Sequence, residues 1–423
     1  MPKQKQLMKN MLDAAIKAAH PKTSIQDYHL PDIPKNGRLI VVGAGKAGAA
    51  MAERVESYYA KSSRYANLNG LVVTPEGSLT KTNRIKLIEA SHPLPDQRSI
   101  NAAQMILKMV RNLTKNDLVL VLLSGGASSL LCLPIKPLIL EDKRNLIKKL
   151  FNAGATIHEL NTVRQTFSQI KGGKLALACY PAKVHTIGIS DVVGDQAEII
   201  GSGPTVKPVA NKLSTEEILN KYKIDSPVNL SLLSSKTEVS SSFKHSTYEL
   251  ISRPMDSLVA AAKVAQKSNY LTLILGDNIE GEAKNAAIDM IKRFFPSINL
   301  SQKWALISGG EVTVTMGNEH QNPDGGPNRE FALSLALNLQ KYKNIYALCA
   351  DTDGIDGKSA SGKHVAGSYV TPTTIKRAKG KNLDPVKLLN EHQSGKFFEL
   401  LDDEIITQPT GTNVNDFRVI LIN

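Results

Sequence analysis

The sequence predicts an α/β protein built from two domains. Apolar runs of β type alternate with helical patterns in both halves of the chain. Five of these runs lead into Gly-rich or Asp-rich turns, which lie at 43–48, 124–129, 190–195, 308–311 and 351–357. The length of 423 residues corresponds to two or three domains of about 150 residues each. Because open α/β sheets bind ligands outside the carboxyl ends of their strands, the turns predict one large polar site.

The first half of the chain repeats a pattern of strand, turn and helix. Strand-like runs occupy 38–42, 70–74, 117–123 and 183–191, and helical patterns separate them. Buried parallel strands read as continuous apolar runs, unlike the alternating pattern of a half-exposed sheet. This half therefore predicts a parallel sheet covered by helices on both faces.

The second half predicts a mixed sheet. Its strand-like runs include 270–276, 304–310 and 344–351, and SGGE at 308–311 is interpreted as a turn that leads into an alternating strand. Such a turn favours at least one antiparallel pair. The polar, Ser-rich stretch at 205–247 indicates the boundary, so we expect domains at 1–245 and 246–423, with the last strand packing on either of them.

Composition and charge narrow the class of protein. Hydrophobic residues make up 42% and charged residues 22%, and no stretch reaches the roughly 18 apolar residues of a membrane helix. The net charge of +13 is spread along the chain, and the densest cluster, at 142–149, has the spacing of a solvated helix face, so we expect no nucleic-acid partner. Three separated cysteines in apolar runs favour a reducing, cytoplasmic location, and the basic N-terminus is expected to form a packed first helix.

The first Gly-rich turn, GAGKAG, matches the pattern G-x-G-x-x-G after a strand. Gly43 and Gly45 could let a dinucleotide pyrophosphate approach the helix N-terminus. However, the nearest candidate for a ribose-binding acid is Glu76, which lies too far along the chain. Lys46 instead favours a phosphoryl or carboxylate ligand, and the alternative is a solvated lysine in a tight turn.

The second Gly-rich turn, SGGASS, offers consecutive flexible amides and hydroxyl groups. Its candidate phosphate-binding residues are Ser124, Gly125, Gly126 and Ser128. Backbone N–H groups that converge in such a turn form an anion-binding nest. The alternative is that the two glycines serve turn geometry alone.

Acidic residues follow two further strands. Asp191 and Asp195 are candidates for a metal ligand and a general base, with local turn capping as the alternative. Asp351 and Asp353 are candidate metal ligands in DTDGIDG, although Asp-Gly pairs also form turns without any ion. The spacing does not match an EF-hand loop, since Ile355 occupies a required ligand position.

Basic residues in NTVRQTFSQIKGGKLA lie at roughly helical intervals. Arg164, Lys171 and Lys174 are interpreted as charges on related faces of one helix that ends at the Gly pair 172–173. They predict a phosphate- or carboxylate-binding surface, and the alternative is a solvated basic face. Arg329 is a candidate bidentate clamp on a carboxylate.

The ordered motifs resemble one family over residues 38–421. They are VGAGKA, SHPLPD, LLSGGASSLL, NTVRQTFSQIKGGKLA, SDVVGDQ, IIGSGPT, SGGEVTV, GGPNREFAL, DTDGIDG and TGTNVNDFRVILI. Together they closely resemble the glycerate 2-kinase family with a C-terminal MOFRL domain, some members of which carry an older hydroxypyruvate reductase label. The resemblance implies an N-terminal Rossmann-like three-layer α/β/α domain, a smaller α/β MOFRL domain with a mixed sheet, and an active site in the cleft between them.

The resemblance also implies a reaction, in which ATP and D-glycerate give 2-phosphoglycerate and ADP. Lys46 matches the catalytically important lysine of the family's first Gly turn, and Asp191 and Arg329 complete the expected catalytic set. Pro327 stands where family members commonly have an arginine. The expected ligands are ATP, Mg²⁺ and glycerate, and a homo-oligomer is left open. The alternatives are an NAD(P)H-dependent hydroxypyruvate reductase and a non-catalytic ligand sensor.

Overall fold

The computed structural model describes residues 3–208, 213–230, 242–316, 323–360 and 362–423. The chain divides into two compact units. The first unit comprises Pro21–Ile251, and the second comprises Met1–His20 together with Ser252–Asn423.

The first unit is built on a six-stranded sheet. Its strands are β1 (Leu39–Ala44), β2 (Leu68–Pro75), β3 (Ile85–Ala90), β4 (Leu118–Leu123), β5 (Lys183–Ile189) and β6 (Ser246–Ser252). They lie in the order β3-β2-β1-β4-β5-β6, and the four pairings from β3 to β5 are parallel. Every residue of β1 and β4 is buried, so both faces of the sheet centre are covered. The predicted parallel sheet is confirmed.

Helices surround this sheet and follow its strands. They are α2 (Pro21–Ser24), α3 (Gly48–Tyr59), α4 (Gln97–Met109), α5 (Ala127–Leu130), α6 (Leu140–Asn152), α7 (Ile157–Thr166), α8 (Lys174–Cys179) and α9 (Thr215–Lys221). A capping box of Thr156 and Glu159 starts α7 and satisfies N–H groups that have no partner within the helix. Apolar side chains of α6, α7 and α9 form a cluster of their own around Leu150 and Phe167. This cluster fixes α6 and α7 side by side.

The second unit contains a mixed six-stranded sheet, as predicted. Its strands are β7 (Leu271–Glu282), β8 (Trp304–Thr313), β9 (Ile345–Asp351), β10 (Val365–Val370), β11 (Glu404–Ile406) and β12 (Asp416–Ile422). They lie in the order β11-β10-β9-β12-β8-β7; β7 and β8 are parallel, and the other pairs are antiparallel. The last strand, β12, therefore lies inside this sheet.

The segment at 308–311 is part of β8, so its interpretation as a turn is wrong. Gly310 has φ +114, and a Cβ atom there would lie 2.2 Å from the carbonyl oxygen of Ile279 in β7. The pairing of β7 with β8 shifts register close to this point. The glycine is thus required by an irregular, close strand pairing and does not reverse the chain.

The first helix of the chain belongs to the second unit. The helices of this unit are α1 (Lys3–Ala19), α10 (Pro254–Lys267), α11 (Ala283–Phe294), α12 (Pro327–Leu339), α13 (Thr374–Gly380), α14 (Pro385–Asn390) and α15 (Ser394–Leu400). Met8, Met11 and Leu12 of α1 are buried in one cluster with Leu258 of α10. The packed first helix is confirmed, although the expected domains 1–245 and 246–423 group it differently. No helix among the described residues is long and apolar enough to cross a membrane.

Candidate functional site

The two Gly-rich turns that follow β1 and β4 interlock. The two strands are parallel neighbours, and their last residues, Ala44 and Leu123, are paired. The backbone N–H of Lys46 donates to the carbonyl oxygen of Gly125 at 2.7 Å, and the N–H of Ala47 donates to Ser124 Oγ at 3.0 Å. The structure therefore brings together the predicted residues of both turns at one edge of the sheet.

The amides of the first turn are all used within the protein. The N–H of Gly45 donates to Val73 at 3.1 Å and that of Gly48 to Gly45 at 2.9 Å, in addition to the two bonds made by Lys46 and Ala47. A pyrophosphate cradle needs such groups to point at the ligand. The first turn thus lacks the donors of a dinucleotide-binding turn.

Gly43 and Gly45 are required by close packing, which corrects their interpretation as phosphate-binding residues. A Cβ atom on Gly43 would lie 2.1 Å from the carbonyl oxygen of Leu122, and one on Gly45 would lie 2.0 Å from Ser124 Oγ. These distances are far below a van der Waals contact. The two glycines allow β4 and its turn to approach.

The second turn has open amides. The N–H groups of Gly125, Gly126 and Ser128 donate to no acceptor within the described part of the chain. Gly126 adopts a left-handed conformation with φ +78, and turns of this kind direct successive N–H groups into one concavity. The geometry of the turn is that of an anion-binding nest.

Two side chains lie beside this nest. A Cβ atom on Gly126 would lie 2.8 Å from His92 Nε2 and 3.4 Å from Lys46 Cγ. Lys46 and His92 therefore approach the same glycine from different strand ends, since His92 follows β3. Sequence reasoning did not single out His92, although its position just beyond a strand that ends at Ala90 could have indicated it.

A set of buried and half-buried cations lies behind the second turn. Lys171 is 1% exposed, and its Nζ donates to the backbone oxygen of Ser128 at 2.7 Å, to Ser128 Oγ at 3.1 Å and to the carbonyl oxygen of Gly201 at 3.3 Å. Arg164 donates to Asn161 Oδ1 at 3.3 Å. Burial lowers the pKa of both groups, and the pKa of Lys171 falls well below its ordinary value.

These cations do not share a helix, contrary to the prediction. Helix α7 ends at Thr166, so Arg164 lies in its last turn, Lys171 lies in the following loop, and Lys174 begins α8. The Nζ of Lys174 donates to the carbonyl oxygen of Gln165 at 2.8 Å. The chain folds back at this point, which brings the charges together by tertiary structure rather than by helical spacing.

Lys143 joins this set, and sequence reasoning missed it. The run at 142–149 was expected to be solvated, yet Lys143 on α6 is only 5% exposed. Its Nζ is buried and has no hydrogen-bond partner among the described residues. Burial lowers its pKa, and repulsion by Arg164 also contributes. Lys143 precedes the buried Leu146 and Leu150 by three and seven positions, a spacing that places all three on one helix face and could have revealed it.

The acidic candidates lie in two separate units. Asp191 and Asp195 follow β5 in the first unit, and both raise the pKa of the half-buried Tyr248, second to the effect of burial. In the second unit, Asp351 Oδ1 accepts from the N–H of Asp353 at 2.9 Å. Asp353 Oδ1 accepts in turn from Ile355 at 2.9 Å, so both side chains cap their own loop, as the alternative interpretation held. Within the described residues, no three His, Cys, Asp or Glu side chains form a cluster that could hold a metal.

Arg329 is a structural residue, which corrects its interpretation as a catalytic clamp. It is 0% exposed. Its Nε donates to Asp356 Oδ2 at 3.1 Å and its Nη1 to Glu404 Oε1 at 3.0 Å. Its Nη2 donates to the backbone oxygens of Asp356 at 2.6 Å and Lys358 at 2.7 Å. The carboxylates that it clamps belong to the protein, and the contacts hold the 356–358 loop against α12.

The fold and the strand-end nest define a two-unit α/β protein with a candidate anion site on a parallel sheet, and comparisons specify its family. A domain of unknown function, DUF4147, matches residues 7–234, and the MOFRL family matches residues 304–416. The chain is 35% identical to glycerate 2-kinase of Pyrococcus horikoshii, over 96% of this chain and 92% of that protein. The chain belongs to the glycerate 2-kinase family with a C-terminal MOFRL domain.

Two further relatives extend the comparison. A crystal structure of glycerate kinase from Thermotoga maritima superimposes with a TM-score of 0.83 at 30% identity, covering 100% of both chains. A protein of Agrobacterium vitis with a provisional hydroxypyruvate reductase name is 40% identical, over 99% of this chain and 94% of that protein. The family thus carries both names that the resemblance implied.

Proposed function

We propose that this protein is a glycerate 2-kinase, which transfers a phosphoryl group from ATP to the 2-hydroxyl group of D-glycerate and yields 2-phosphoglycerate and ADP. The observation that carries the proposal is the open nest at Gly125, Gly126 and Ser128 beside Lys46, in a chain whose relatives include glycerate kinases. Phosphoryl transfer depends mainly on positioning and charge neutralisation, and a nest with an adjacent lysine supplies both.

The reaction makes one bond and breaks another. The oxygen of the 2-hydroxyl group bonds to the γ-phosphorus, the bond from that phosphorus to the bridging oxygen of ADP breaks, and the hydroxyl proton leaves. We propose that the N–H groups of the nest and Lys46 stabilise the charge on the transferring group. Asp191 is our candidate for accepting the proton, and the imidazole group of His92 lies beside the nest.

Mg²⁺ enters this proposal with the nucleotide. Magnesium is usually held by one or two carboxylates together with substrate phosphates, so a dedicated protein cage is not required. Asp191 and Asp195 fit that need, because both carboxylates lie near Tyr248 at the end of β5. Asp351 and Asp353 of the second unit stay proposed metal ligands in their own right, each with one oxygen engaged in its own loop. The ion would neutralise charge on the nucleotide phosphates.

A nicotinamide-dependent hydroxypyruvate reductase is the second candidate, because the relatives at 40% identity carry that name. The first turn argues against it, since its N–H groups from Gly45 to Gly48 donate within the protein. We also propose a cytoplasmic location, which the free, buried thiols of Cys132, Cys179 and Cys349 support.

The test compares the two chemistries on one preparation. ADP release is measured with D-glycerate, ATP and Mg²⁺, and oxidation of reduced nicotinamide cofactor is measured with hydroxypyruvate. We expect rapid ADP release that depends on glycerate and no cofactor oxidation above background. Cofactor oxidation at enzyme-like rates without glycerate-dependent ADP release would refute the kinase, and ligand binding with neither activity would favour a sensor.

A further inference from the structure

Lys143 is an isolated buried charge. Its Nζ has no hydrogen-bond partner among the described residues, and the residue is only 5% exposed. A buried ammonium group without a counter-charge costs several kcal/mol unless it loses its proton or gains an anion. A methionine or leucine at this position could fill the same space without burying a charge. Packing alone therefore does not explain the lysine. The position therefore points to a ligand.

Other cations surround Lys143. Lys171 and Arg164 lie close enough for their charges to interact with it. None of the three cations lies within 4 Å of a carboxylate in the described part of the chain. Asn161 adds a donor, because its Nδ2 is buried with no partner there while its Oδ1 accepts from Arg164 and Ser202. The unpartnered donors of Lys143 and Asn161 beside two further cations favour an anionic ligand.

Ser128 connects this cluster to the nest. Its N–H group belongs to the open second turn, and its backbone oxygen and Oγ accept from Lys171 Nζ. The nest and the cluster of cations therefore meet at Ser128. In a 2-hydroxy acid, the carbon that carries the hydroxyl group is bonded directly to the carboxylate carbon. An acid whose carboxylate occupied the cluster would place its 2-hydroxyl group next to the nest.

We propose that Lys143, Arg164 and Lys171 form the binding site for the carboxylate group of the acceptor acid, and that this site selects the 2-hydroxyl group for phosphorylation. The identity of the acid as glycerate rests on the proposed function. The burial of Lys143 and Lys171 favours a small carboxylate over a nucleotide, whose triphosphate would need a wide, solvated groove. The γ-phosphoryl group is left to the nest and Lys46.

The pH dependence of binding follows from the same burial. Lys143 and Lys171 both have a pKa lowered by burial, while Cys132 is the titratable group that favours their charged forms, and Arg164 and Lys174 are the other charged groups nearby. A bound carboxylate favours the charged forms and raises both pKa values, so binding is linked to proton uptake. The affinity for the acid is expected to fall as pH rises.

The test replaces Lys143 by methionine, and Lys148→Met on the exposed side of the same helix is the matched control. K143M is expected to raise KM for D-glycerate by about tenfold to hundredfold, the usual effect of losing a charge-assisted hydrogen bond. KM for ATP should stay within about twofold, and K148M should resemble the wild type. The melting temperature of ligand-free K143M should equal or exceed that of the wild type, since a buried charge is removed.

Other outcomes would overturn the proposal. A larger rise in KM for ATP than for D-glycerate would assign the cluster to the nucleotide phosphates. A fall in melting temperature with unchanged KM for D-glycerate would make Lys143 a structural residue. If K143M does not fold, K143Q keeps the test, because it retains a polar end while removing the charge.

Calorimetry without nucleotide separates this proposal from the proposed function. Wild-type protein is titrated with D-glycerate, with glycerol and with inorganic phosphate, in two buffers of different ionisation enthalpy. The proposal expects D-glycerate to bind with proton uptake, glycerol not to bind, and K143M to lose the D-glycerate signal. If these results hold but no phosphoryl transfer occurs, the carboxylate-binding site is supported and the proposed kinase activity is refuted. If transfer occurs and K143M binds D-glycerate normally, or phosphate competes equally well at the cluster, the site fails alone.

Discussion

Replacing Arg329 by methionine is expected to destabilise the second unit without removing a group that contacts substrate. Its guanidinium makes four hydrogen bonds, to the Asp356 carboxylate, the Glu404 carboxylate and two backbone oxygens. Breaking a buried ion pair by removing one partner costs about 3–5 kcal/mol. The N–H groups of Asn328 and Arg329 still donate to Asp356, at 2.8 and 3.0 Å, which places the expected loss near the lower limit.

Trp304 makes this loss measurable. It is the single tryptophan of the chain and begins β8 in the second unit, so its fluorescence in urea reports the unfolding of that unit. R329M should lose about 3 kcal/mol of unfolding free energy, while kcat per folded molecule stays within a few-fold of the wild type. Lys387→Met, which removes an exposed pair with Glu391, is the control and should cost less than about 1 kcal/mol. Unchanged stability with loss of kcat would refute the structural role of Arg329.

Three further results are expected. Lys46→Ala should lower kcat by about a hundredfold or more with little change in melting temperature, because it removes a preorganised charge at the nest; wild-type turnover would contradict this role. Gly126→Ala should lower kcat, because the added Cβ atom displaces His92. Gly154→Ala is the control: Gly154 has the same φ of +78 but open space around it, so this change should lower stability alone. Equal kcat in both variants would count against the proposed site. Burial lowers the pKa of Lys174 to about 8, so the unfolded chain binds more protons between pH 8 and 10 and stability should rise with pH there; urea midpoints that do not rise more in the wild type than in K174M would oppose this.

The architecture of the first unit follows closely from local sequence. Its central strands are buried on both faces, so they read as unbroken apolar runs. Gly43 near the end of β1 is required by the close approach of Leu122 in the neighbouring strand β4. In β8 the glycines of the SGGE segment were interpreted wrongly as a turn. Gly310 is required there because Ile279 of the neighbouring strand β7 approaches it closely. A glycine required by a distant strand and one required by a turn look alike in the sequence.

The site shows the same division between local and tertiary causes. Lys46 and the second Gly turn could be proposed as anion-binding residues from the sequence, because a few adjacent residues determine the backbone conformation of a turn and its charge. Arg329 was misassigned because its partner Glu404 lies 75 positions away, so nothing nearby in the sequence shows that its donors are used. Lys143 lies between these cases, since helical spacing from Leu146 and Leu150 places it on the buried face. Only the tertiary structure shows that no carboxylate meets it there.

Proton-coupled phosphorus NMR of the product formed from D-glycerate, ATP and Mg²⁺ tests the central claim most directly. A phosphoryl group on the 2-oxygen couples to the one hydrogen on C2 and gives a doublet, whereas a group on the 3-oxygen couples to two hydrogens and gives a triplet. We expect a doublet that appears together with the signals of ADP and is absent without enzyme. A triplet, or the absence of any phosphoglycerate signal from folded protein, would contradict the assignment of this chain as a glycerate 2-kinase.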